Sequence, residues 1–207
     1  MIEFKGKTVW ITGASSGIGK ALAIKLGSLG ANLVLSSRKE GQLMEVAQLC
    51  KTEVLVLPLD LEKSSNFPEK VVKVMSKFKS IDLLINNGGI SQRSRAYETS
   101  IEVDRKIMEV NYFGTIALTK SILPVMQKQK SGHIATISSS SGKFGFFLRS
   151  SYSASKFAQV GFFESLRLEE EKNNIFISIV FPFLVKTNIS FNAISENGIA
   201  NLKNDPL

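Results

Sequence analysis

Short apolar runs alternate along the chain with longer stretches in which apolar residues recur at helical spacing. The apolar runs predict strands, and the amphipathic stretches between them predict helices. The predicted strands are Thr8–Thr12, Asn32–Ser36, Val54–Leu57, Ile81–Ile85, His133–Ser138 and Ile175–Phe181. The predicted helices are Ile18–Leu29, Lys39–Cys50, Phe67–Phe78, Glu102–Gln129, in two pieces that meet near Asn111, and Ser151–Asn173.

Continuous apolar strands that alternate with helices are buried on both faces, as in a parallel sheet covered by helices. With right-handed crossovers, the pattern predicts an α/β protein: a three-layer, doubly wound parallel sheet of the Rossmann type. Ligands of such sheets bind at the carboxyl ends of the strands. The residues that directly follow each strand are therefore the candidate functional residues.

Composition favours one globular domain. The 207 residues, 43% of them hydrophobic, suffice for one sizeable core, and a single domain over 1–207 is expected. No apolar run reaches the roughly 18 residues of a membrane span, and the N-terminus does not resemble a secretory signal. Cys50 is the only cysteine, which excludes an intrachain disulfide and indicates a cytoplasmic setting. The net charge of +8 is scattered, so a nucleic-acid-binding module is a distant hypothesis.

A glycine-rich turn, TGASSGIG, follows the first predicted strand and opens the first predicted helix. Glycine permits a tight turn and a close approach of the backbone to a phosphate. The free N–H groups and the dipole of the helix N-terminus favour an anion there. The alternative is a merely tight strand-to-helix turn, but three glycines in this context favour a dinucleotide site. The candidate contacts are Gly13, Ser15, Ser16, Gly17, Ile18 and Gly19.

Tyr152 and Lys156, in the run YSASK, are four residues apart and would share one face of a helix. A free tyrosine has a pKa of about 10, and lowering it to near 7 requires roughly 4 kcal/mol. One ammonium at about 4 Å, at an effective dielectric near 20, supplies roughly 4 kcal/mol. The pair would be sufficient as an acid–base device if it is partly shielded from water. An ordinary helix tyrosine is the alternative.

These motifs, in this order, resemble those of the short-chain dehydrogenase/reductase family, classical type. TGASSGIG is similar to its cofactor turn, NNGG at 86–89 to its NNAG with Gly88 in place of alanine, and YSASK to its YxxxK. Asp60, Asn111 and Ser139 also stand where the family has functional residues. The resemblance covers essentially the whole chain. Within the family, the run TNISFNAI resembles the member-7-like branch.

The resemblance implies a role for each residue of a catalytic tetrad. Tyr152 would protonate a carbonyl or deprotonate an alcohol, and Lys156 would hold the nicotinamide ribose and lower the pKa of Tyr152. Ser139, selected among four consecutive serines by its spacing from the tyrosine, would polarise the substrate oxygen. Asn111 would position a water that links Lys156 to solvent. Further cofactor contacts would be Asp60, Leu61, Asn87, Gly88, Gly89, Val185 and Thr187.

The residues after the second strand indicate which nicotinamide cofactor is used. Ser37 stands where relatives that prefer NAD carry aspartate, and Arg38 follows it. An acid there would repel a 2′-phosphate, whereas a guanidinium can bind one with two hydrogen bonds. NADP(H) is therefore expected rather than NAD(H). A solvated surface arginine is the alternative for Arg38.

The sequence thus predicts an NADP(H)-dependent oxidoreductase that interconverts a carbonyl and a secondary alcohol. The phenylalanines of Lys143–Ser150 could line a pocket for an apolar substrate, or could serve packing or an oligomer contact. A homodimer or homotetramer is expected. No metal site is apparent, and the single histidine, His133, lies at the wrong end of its strand for catalysis.

A non-catalytic NADP-binding sensor, or an inactive truncated Rossmann core, is the alternative function. Classical members of the family usually continue for several tens of residues beyond the point that corresponds to Leu207. The chain is therefore expected to be short at its C-terminus, without the rest of the substrate lid and a seventh strand. Phe183 also replaces a glycine that is usual in the family.

Overall fold

The sheet has six parallel strands in the order β3-β2-β1-β4-β5-β6, in a computed structural model that describes residues 3–200. The strands are β1 Thr8–Thr12, β2 Asn32–Ser36, β3 Val54–Val56, β4 Leu83–Asn86, β5 Gly132–Ile137 and β6 Ile175–Val180. Strands β2 and β3 lie on one side of β1, and β4, β5 and β6 lie on the other side. The strand order therefore reverses between β1 and β4. The predicted doubly wound parallel sheet is confirmed.

Helices connect the strands and cover both faces of the sheet. They are α1 Gly17–Ser28, α2 Glu40–Leu49, α3 Phe67–Phe78, α4 Ile101–Met108, α5 Gly114–Gln129 and α6 Ser150–Glu170. Short 3-10 helices lie at Ser64–Asn66, Ser140–Gly142 and Glu171–Asn173. Most predicted boundaries lie within two residues of these. Where the sequence predicted two helical pieces meeting near Asn111, α4 and α5 are joined by a π-helical segment, Glu109–Phe113.

Both faces of the sheet bury apolar side chains, because alternate residues of each strand point to opposite faces. In β1, Trp10 belongs to the core beneath α3, α5 and α6, whereas Val9 and Ile11 belong to the core beneath α1 and α2. All three are fully buried. This two-sided burial explains why the strands have continuous apolar sequences, and it holds their carboxyl ends rigidly at one edge.

The amino ends of the strands are fastened separately from the site. The Asp82 carboxylate accepts hydrogen bonds from the Thr8 backbone N–H (2.9 Å) and the Lys7 ammonium (3.1 Å). Gln129 binds both the N–H and the carbonyl of Ile81, which explains why β4 starts at Leu83 and not at the predicted Ile81. Among the described residues, no helix is long and apolar enough to cross a membrane. The predicted end of the chain, 201–207, lies outside the described residues.

Candidate active site

The glycine-rich turn lies at the carboxyl end of β1, where α1 begins. Gly13 and Gly17 have positive φ angles of 63° and 52°, a conformation that favours glycine. A Cβ on Gly19 would lie 2.4 Å from the Gly13 carbonyl oxygen and 2.6 Å from Asn87 Nδ2. The N-cap residue, Ser16, makes no side-chain cap hydrogen bond. The turn is therefore folded tightly on itself, and the first N–H groups of α1 are oriented for an anion.

Thr12 joins this turn to the loop after β4. Its hydroxyl accepts hydrogen bonds from the backbone N–H groups of Asn87 (3.0 Å) and Gly88 (2.9 Å). The Asn87 side chain donates in return to the carbonyls of Thr12 (3.0 Å) and Gly13 (3.2 Å). The predicted contacts Gly13, Asn87 and Gly88 thus form one unit. Sequence analysis missed Thr12 as a site residue, although a polar, β-branched residue at the end of an apolar strand is a usable signal.

Gly88, which stands where the family has alanine, is closely surrounded. A Cβ there would lie 2.9 Å from Leu61 Cδ1 and 3.3 Å from the Thr12 side chain. Leu61 itself is buried in the core, and its side chain packs against Gly88 while its backbone carbonyl lies against Gly114. Its neighbour Asp60 accepts a hydrogen bond from the Glu62 N–H (3.1 Å), which fixes the turn after β3.

The segment after β6 returns to the glycine-rich turn. A Cβ on Gly17 would lie 3.2 Å from Thr187 Cγ2, so the predicted contact Thr187 is beside the start of α1. Val185 is 49% exposed and Phe183 is 65% exposed. The structure therefore brings Thr187 to the cofactor turn and leaves Val185 open to solvent next to it.

Arg38 is exposed beyond the end of β2, as expected for a residue that binds a phosphate. Its guanidinium lies 4.0 Å from Glu62, which also lies 3.9 Å from Lys106. The Ser37 hydroxyl accepts a hydrogen bond from the Lys39 N–H (3.2 Å). Exposed pairs at such distances contribute little to stability, so Glu62 restrains Arg38 only weakly. Sequence analysis did not anticipate this acidic neighbour, which comes from the loop after β3.

Asn111 is fully buried in the π-helical segment. Its side-chain amide accepts a hydrogen bond from the Ile90 N–H (2.8 Å) and donates to the Ile90 carbonyl (2.9 Å) and the Ser155 hydroxyl (2.9 Å). A Cβ on Gly89 would lie 3.0 Å from Asn111 Oδ1. Asn111 therefore holds the loop after β4 against α6. Its side chain is occupied by structural bonds, and its backbone carbonyl accepts a hydrogen bond from Gln159 Nε2 (2.6 Å).

Tyr152 lies in the first turn of α6, and its side chain is close enough to that of Ser139, which follows β5, for Ser139 to lower its pKa. The structure therefore places these two predicted residues near each other. Burial raises the pKa of Tyr152, while the Ser139 hydrogen bond and the charge of Arg149 lower it in part. The Ser139 hydroxyl also accepts from the Ser141 N–H (3.1 Å), which leaves its own proton for an incoming oxygen or for Tyr152.

Lys156 is buried one turn further along α6. Its ammonium donates to the Ile137 carbonyl (2.9 Å) and to Gln159 Oε1 (3.2 Å), and lies 5.8 Å from the centroid of the Tyr152 ring. Burial lowers the pKa of Lys156 to about 8. The sequence argument placed the ammonium at about 4 Å from the phenol. In the structure, its hydrogen bonds direct it to the backbone and to Gln159, and its charge is not among the causes that shift the Tyr152 pKa.

Two further buried residues, Arg149 and Gln92, surround Tyr152. The Arg149 guanidinium donates to the Gln92 carbonyl (2.8 Å), and Gln92 Oε1 lies 3.5 Å from the Tyr152 backbone nitrogen. Gln92 also donates to the carbonyl of Ser94 (3.1 Å). Sequence analysis missed both, because their roles depend on a loop that is distant in sequence. The only local signal was an arginine three residues before the tyrosine.

An open pocket of about 370 Å³ lies beside the N-terminus of α6. Its walls come from the loop after β4 and the loop before α6: Ser94, Arg95, Ala96, Tyr97, Phe146, Phe147, Leu148 and Ser150. Phe147 is 82% exposed and Tyr97 is 79% exposed, so these rings do not serve the core. The sequence left open whether these phenylalanines line a substrate pocket or serve packing or an oligomer contact. The exposure of Phe147 excludes core packing and is consistent with a substrate or an oligomer contact.

His133 lies at the start of β5, away from this edge, and its Nε2 is hydrogen-bonded to the Ser178 hydroxyl (2.8 Å). Burial lowers its pKa. Within residues 3–200, no group of three His, Cys, Asp or Glu side chains could hold a metal ion. The side chains around Tyr152 carry hydroxyls, amides, the Lys156 ammonium and the Arg149 guanidinium.

Solved structures with the same architecture bind nicotinamide cofactors. A short chain dehydrogenase/reductase from Burkholderia phymatum in complex with NAD superposes with a TM-score of 0.88 at 29% identity, covering 100% of this chain and 75% of that chain. A metagenomic short-chain oxidoreductase in complex with NADP gives a TM-score of 0.83 at 30% identity, covering 87% of this chain and 84% of that chain.

Curated relatives agree with the branch that TNISFNAI indicated. Dehydrogenase/reductase SDR family protein 7-like of Drosophila melanogaster is 44% identical over 203 residues, which are 95% of this chain and 62% of the relative. Human dehydrogenase/reductase SDR family member 7 is 42% identical over 201 residues, 93% of this chain and 59% of the relative. The chain thus spans about three fifths of these relatives. The sequence profile described as short chain dehydrogenase matches residues 7–197. The chain belongs to the short chain dehydrogenase family.

Proposed function

We propose that the protein is an NADP(H)-dependent oxidoreductase that interconverts a carbonyl and a secondary alcohol. The observation that carries the proposal is the placement of Tyr152 beside Ser139, with buried Lys156 on the same helix. The pair lies at the edge of the sheet that also carries the glycine-rich turn. A hydride donor bound at that turn and a proton donor at Tyr152 are the two components that carbonyl reduction requires.

In the proposed mechanism, the nicotinamide cofactor supplies the hydride. Ser139 donates a hydrogen bond to the substrate oxygen, which orients and polarises it, and Tyr152 transfers the proton to that oxygen during reduction. In the oxidative direction, Tyr152 accepts the proton of the alcohol. The raised pKa of Tyr152 keeps the phenol protonated, which suits a proton donor. The positive charge of Arg149, which already lowers the pKa of Tyr152 in part, would favour the phenolate in the reverse reaction.

The cofactor preference rests on the end of β2. Neither Ser37 nor its neighbours on the strand present an acid there, and the Arg38 guanidinium is exposed and only weakly restrained by Glu62. A 2′-phosphate would compete well for Arg38, because a doubly hydrogen-bonded arginine–phosphate pair is stronger than an exposed ion pair at 4.0 Å. One of the similar solved structures holds NAD and the other holds NADP, so they do not distinguish the two cofactors. The preference for NADP(H) is therefore part of our proposal.

The substrate we propose is a small apolar carbonyl compound or alcohol. The aromatic pocket between the loop after β4 and the loop before α6 lies next to the first turn of α6, which carries Tyr152. Its exposed rings would lose contact with water when an apolar molecule binds, which is favourable by roughly 25 cal/mol per Å². We also propose a cytoplasmic homo-oligomer, in keeping with the single buried cysteine, Cys50.

The decisive experiment titrates the chain separately with NADPH and NADH while thermal unfolding is followed. A ligand at 100 times its dissociation constant stabilises the native state by roughly 2.7 kcal/mol. We expect a selective response to NADPH, and a loss of that selectivity in Arg38→Asp. The matched control is Lys51→Asp, which makes the same charge change in the loop between α2 and β3, at the amino ends of the strands. Equal losses of NADPH and NADH in Arg38→Asp would contradict the 2′-phosphate role.

Turnover is tested with Tyr152→Phe, which removes one hydroxyl and keeps the ring. We expect a carbonyl screen with NADPH to give activity that this variant loses, typically by a factor of about 10² or more, while it still binds the cofactor. Wild-type turnover in Tyr152→Phe would refute the proton-donor role. An absence of any response to either cofactor would favour the alternative stated above, an inactive Rossmann core.

A further inference from the structure

The Gln159 side chain bridges Lys156 to the π-helical segment. It is 1% exposed, and it lies three residues after Lys156 on α6. Its Oε1 accepts a hydrogen bond from the Lys156 ammonium (3.2 Å), and its Nε2 donates to the backbone carbonyl of Asn111 (2.6 Å). A buried amide of this kind is costly unless both ends are bonded, and here both are.

The bridge makes a link of the kind that the family resemblance assigned to a water. Asn111 was expected to position a water that links Lys156 to solvent, and the group of Asn111 that Gln159 links to Lys156 is its backbone carbonyl. That carbonyl accepts the hydrogen bond from Gln159 Nε2. An amide orients its neighbours as a water does, but it is covalently fixed to the helix and has a defined donor end and acceptor end. It therefore fixes the ammonium more rigidly than an exchangeable water would.

We propose that Gln159 is a positioning residue of the active site, whose amide fixes the Lys156 ammonium between the Ile137 carbonyl and the backbone of the π-helical segment. The inference rests on the proposed function for its catalytic meaning, since Lys156 would hold the cofactor ribose. The contact itself is independent of that function. Gln159 touches neither substrate nor cofactor in this proposal, and acts only through Lys156.

The bridge has a consequence for the protonation of Lys156. A hydrogen bond accepted from an ammonium favours its charged form, whereas burial disfavours it. Burial is the cause resolved for the lowered pKa of Lys156, about 8. The titratable and charged groups near this part of α6 are Tyr152 and Arg149 on the helix and its N-cap, Asp104 on α4, which binds Ser151, and Lys143 after the 3-10 helix. Gln159 is the side chain that accepts a hydrogen bond from the Lys156 ammonium, so its replacement should move the pKa of Lys156.

Two substitutions shift that pKa in opposite directions. Gln159→Leu removes both hydrogen bonds at nearly constant volume, so the ammonium loses an acceptor and its pKa falls. Gln159→Glu keeps an acceptor toward Lys156, adds a negative charge, and loses the donor toward Asn111, so the pKa rises. Hydrogen bonds to charged groups correspond to shifts of about one to two pH units. Gln127→Leu, which breaks a Gln–Glu hydrogen bond elsewhere in the protein, is the matched control.

The readout is the free energy of unfolding in urea from pH 6 to pH 10.5, measured without cofactor. The folded-state pKa of Lys156, about 8, lies below its ordinary value of 10.5. Between these two values the unfolded chain binds more protons, so the contribution of Lys156 to stability rises with pH. Lys156→Met should abolish that rise, and its loss in this variant assigns the rise to Lys156. We expect its onset near pH 8 in the wild type, about one unit lower in Gln159→Leu, and about one unit higher in Gln159→Glu.

Opposite shifts of the onset in the two Gln159 variants would support the positioning role. A loss of packing alone would not produce shifts in opposite directions. The same onset in the wild type and both Gln159 variants, with the rise abolished in Lys156→Met, would overturn it. So would a rise that persists in Lys156→Met. NADPH titration of the same proteins separates the two proposals. If the onset shifts but no protein binds NADPH or NADH, then the contact is real and the proposed function fails. If NADPH binds and the onset does not shift, then only the role of Gln159 fails.

Discussion

Gly19 is the position at which a single methyl group should most directly disturb the cofactor turn. An alanine Cβ there would lie 2.4 Å from the Gly13 carbonyl oxygen and 2.6 Å from Asn87 Nδ2. Comfortable contacts of carbon atoms are about 3.5–4.0 Å, so the neighbours must move by roughly 1 Å. One of these neighbours is backbone, and the other is held by two hydrogen bonds of its own. Neither can move away without breaking the turn.

The magnitude follows from two opposing terms. Overpacking of this kind costs about 1–3 kcal/mol, and alanine in place of glycine in a helix gains back up to about 1 kcal/mol. Gly41→Ala, in α2, has no atom within 4 Å of the new Cβ and should show only the gain. The gain is common to both variants, so we expect them to differ by about 1–3 kcal/mol in the free energy of unfolding. For a protein of this size, that corresponds to roughly 2–12 °C in Tm.

The assay is urea unfolding followed by the fluorescence of Trp10, the only tryptophan, which is fully buried in β1. NADPH titration of the same samples should show that Gly19→Ala weakens binding by at least about tenfold, since the turn that faces the phosphates has moved. Gly41→Ala should bind as the wild type does. If both variants unfold at the same urea concentration and bind NADPH equally, then the close packing of Gly13, Gly19 and Asn87 is not what stabilises the turn.

Two further predictions concern hydrogen bonds and charge. Ser36→Ala removes the hydroxyl that accepts the hydrogen bond of the Trp10 indole N–H (2.9 Å), and should lower the free energy of unfolding by about 1–3 kcal/mol. The control is Ser165→Ala, at an exposed hydroxyl on α6, which should have almost no effect. Equal effects of the two substitutions would contradict the prediction. Arg149→Met removes a positive charge that favours the phenolate, so the pKa of Tyr152 should rise. Carbon-13 NMR of the three tyrosines measures this directly, and an unchanged titration would refute the coupling.

The fold and the outline of the site could be predicted from the sequence because they depend on short-range patterns. Apolar runs of about five residues gave the six strands, and Gly13, Gly17 and Gly19 marked the cofactor turn by conformational demands that other residues do not meet. The spacing of Tyr152 and Lys156 placed both on α6. These signals are local, and each is visible within a few residues of sequence.

Contacts between distant segments could not be predicted in the same way. Thr12 binds the loop after β4, Arg149 binds Gln92, and Gln159 binds the carbonyl of Asn111, across separations of 48 to 76 residues. A glutamine on an amphipathic helix has no local property that distinguishes a solvated side chain from a buried bridge. The same limit applies to the electrostatics of Lys156. Spacing placed Lys156 near Tyr152, but only the structure reveals that its ammonium is hydrogen-bonded to the Ile137 carbonyl and to Gln159.

The π-helical segment between α4 and α5 sacrifices some intrinsic helix stability and, in return, holds Asn111 against Ile90 and Ser155. A π turn contains one residue more than an α turn would need, so deletion of one residue from Glu109–Phe113 would restore an unbroken α-helix of greater intrinsic stability. That deletion would also rotate the helix surface by about 100° and turn Asn111 away from Ile90 and Ser155. Shortening this segment would thus improve the helix and dismantle the site at once. Length variation among relatives should therefore be rare here and common in the loops on either side.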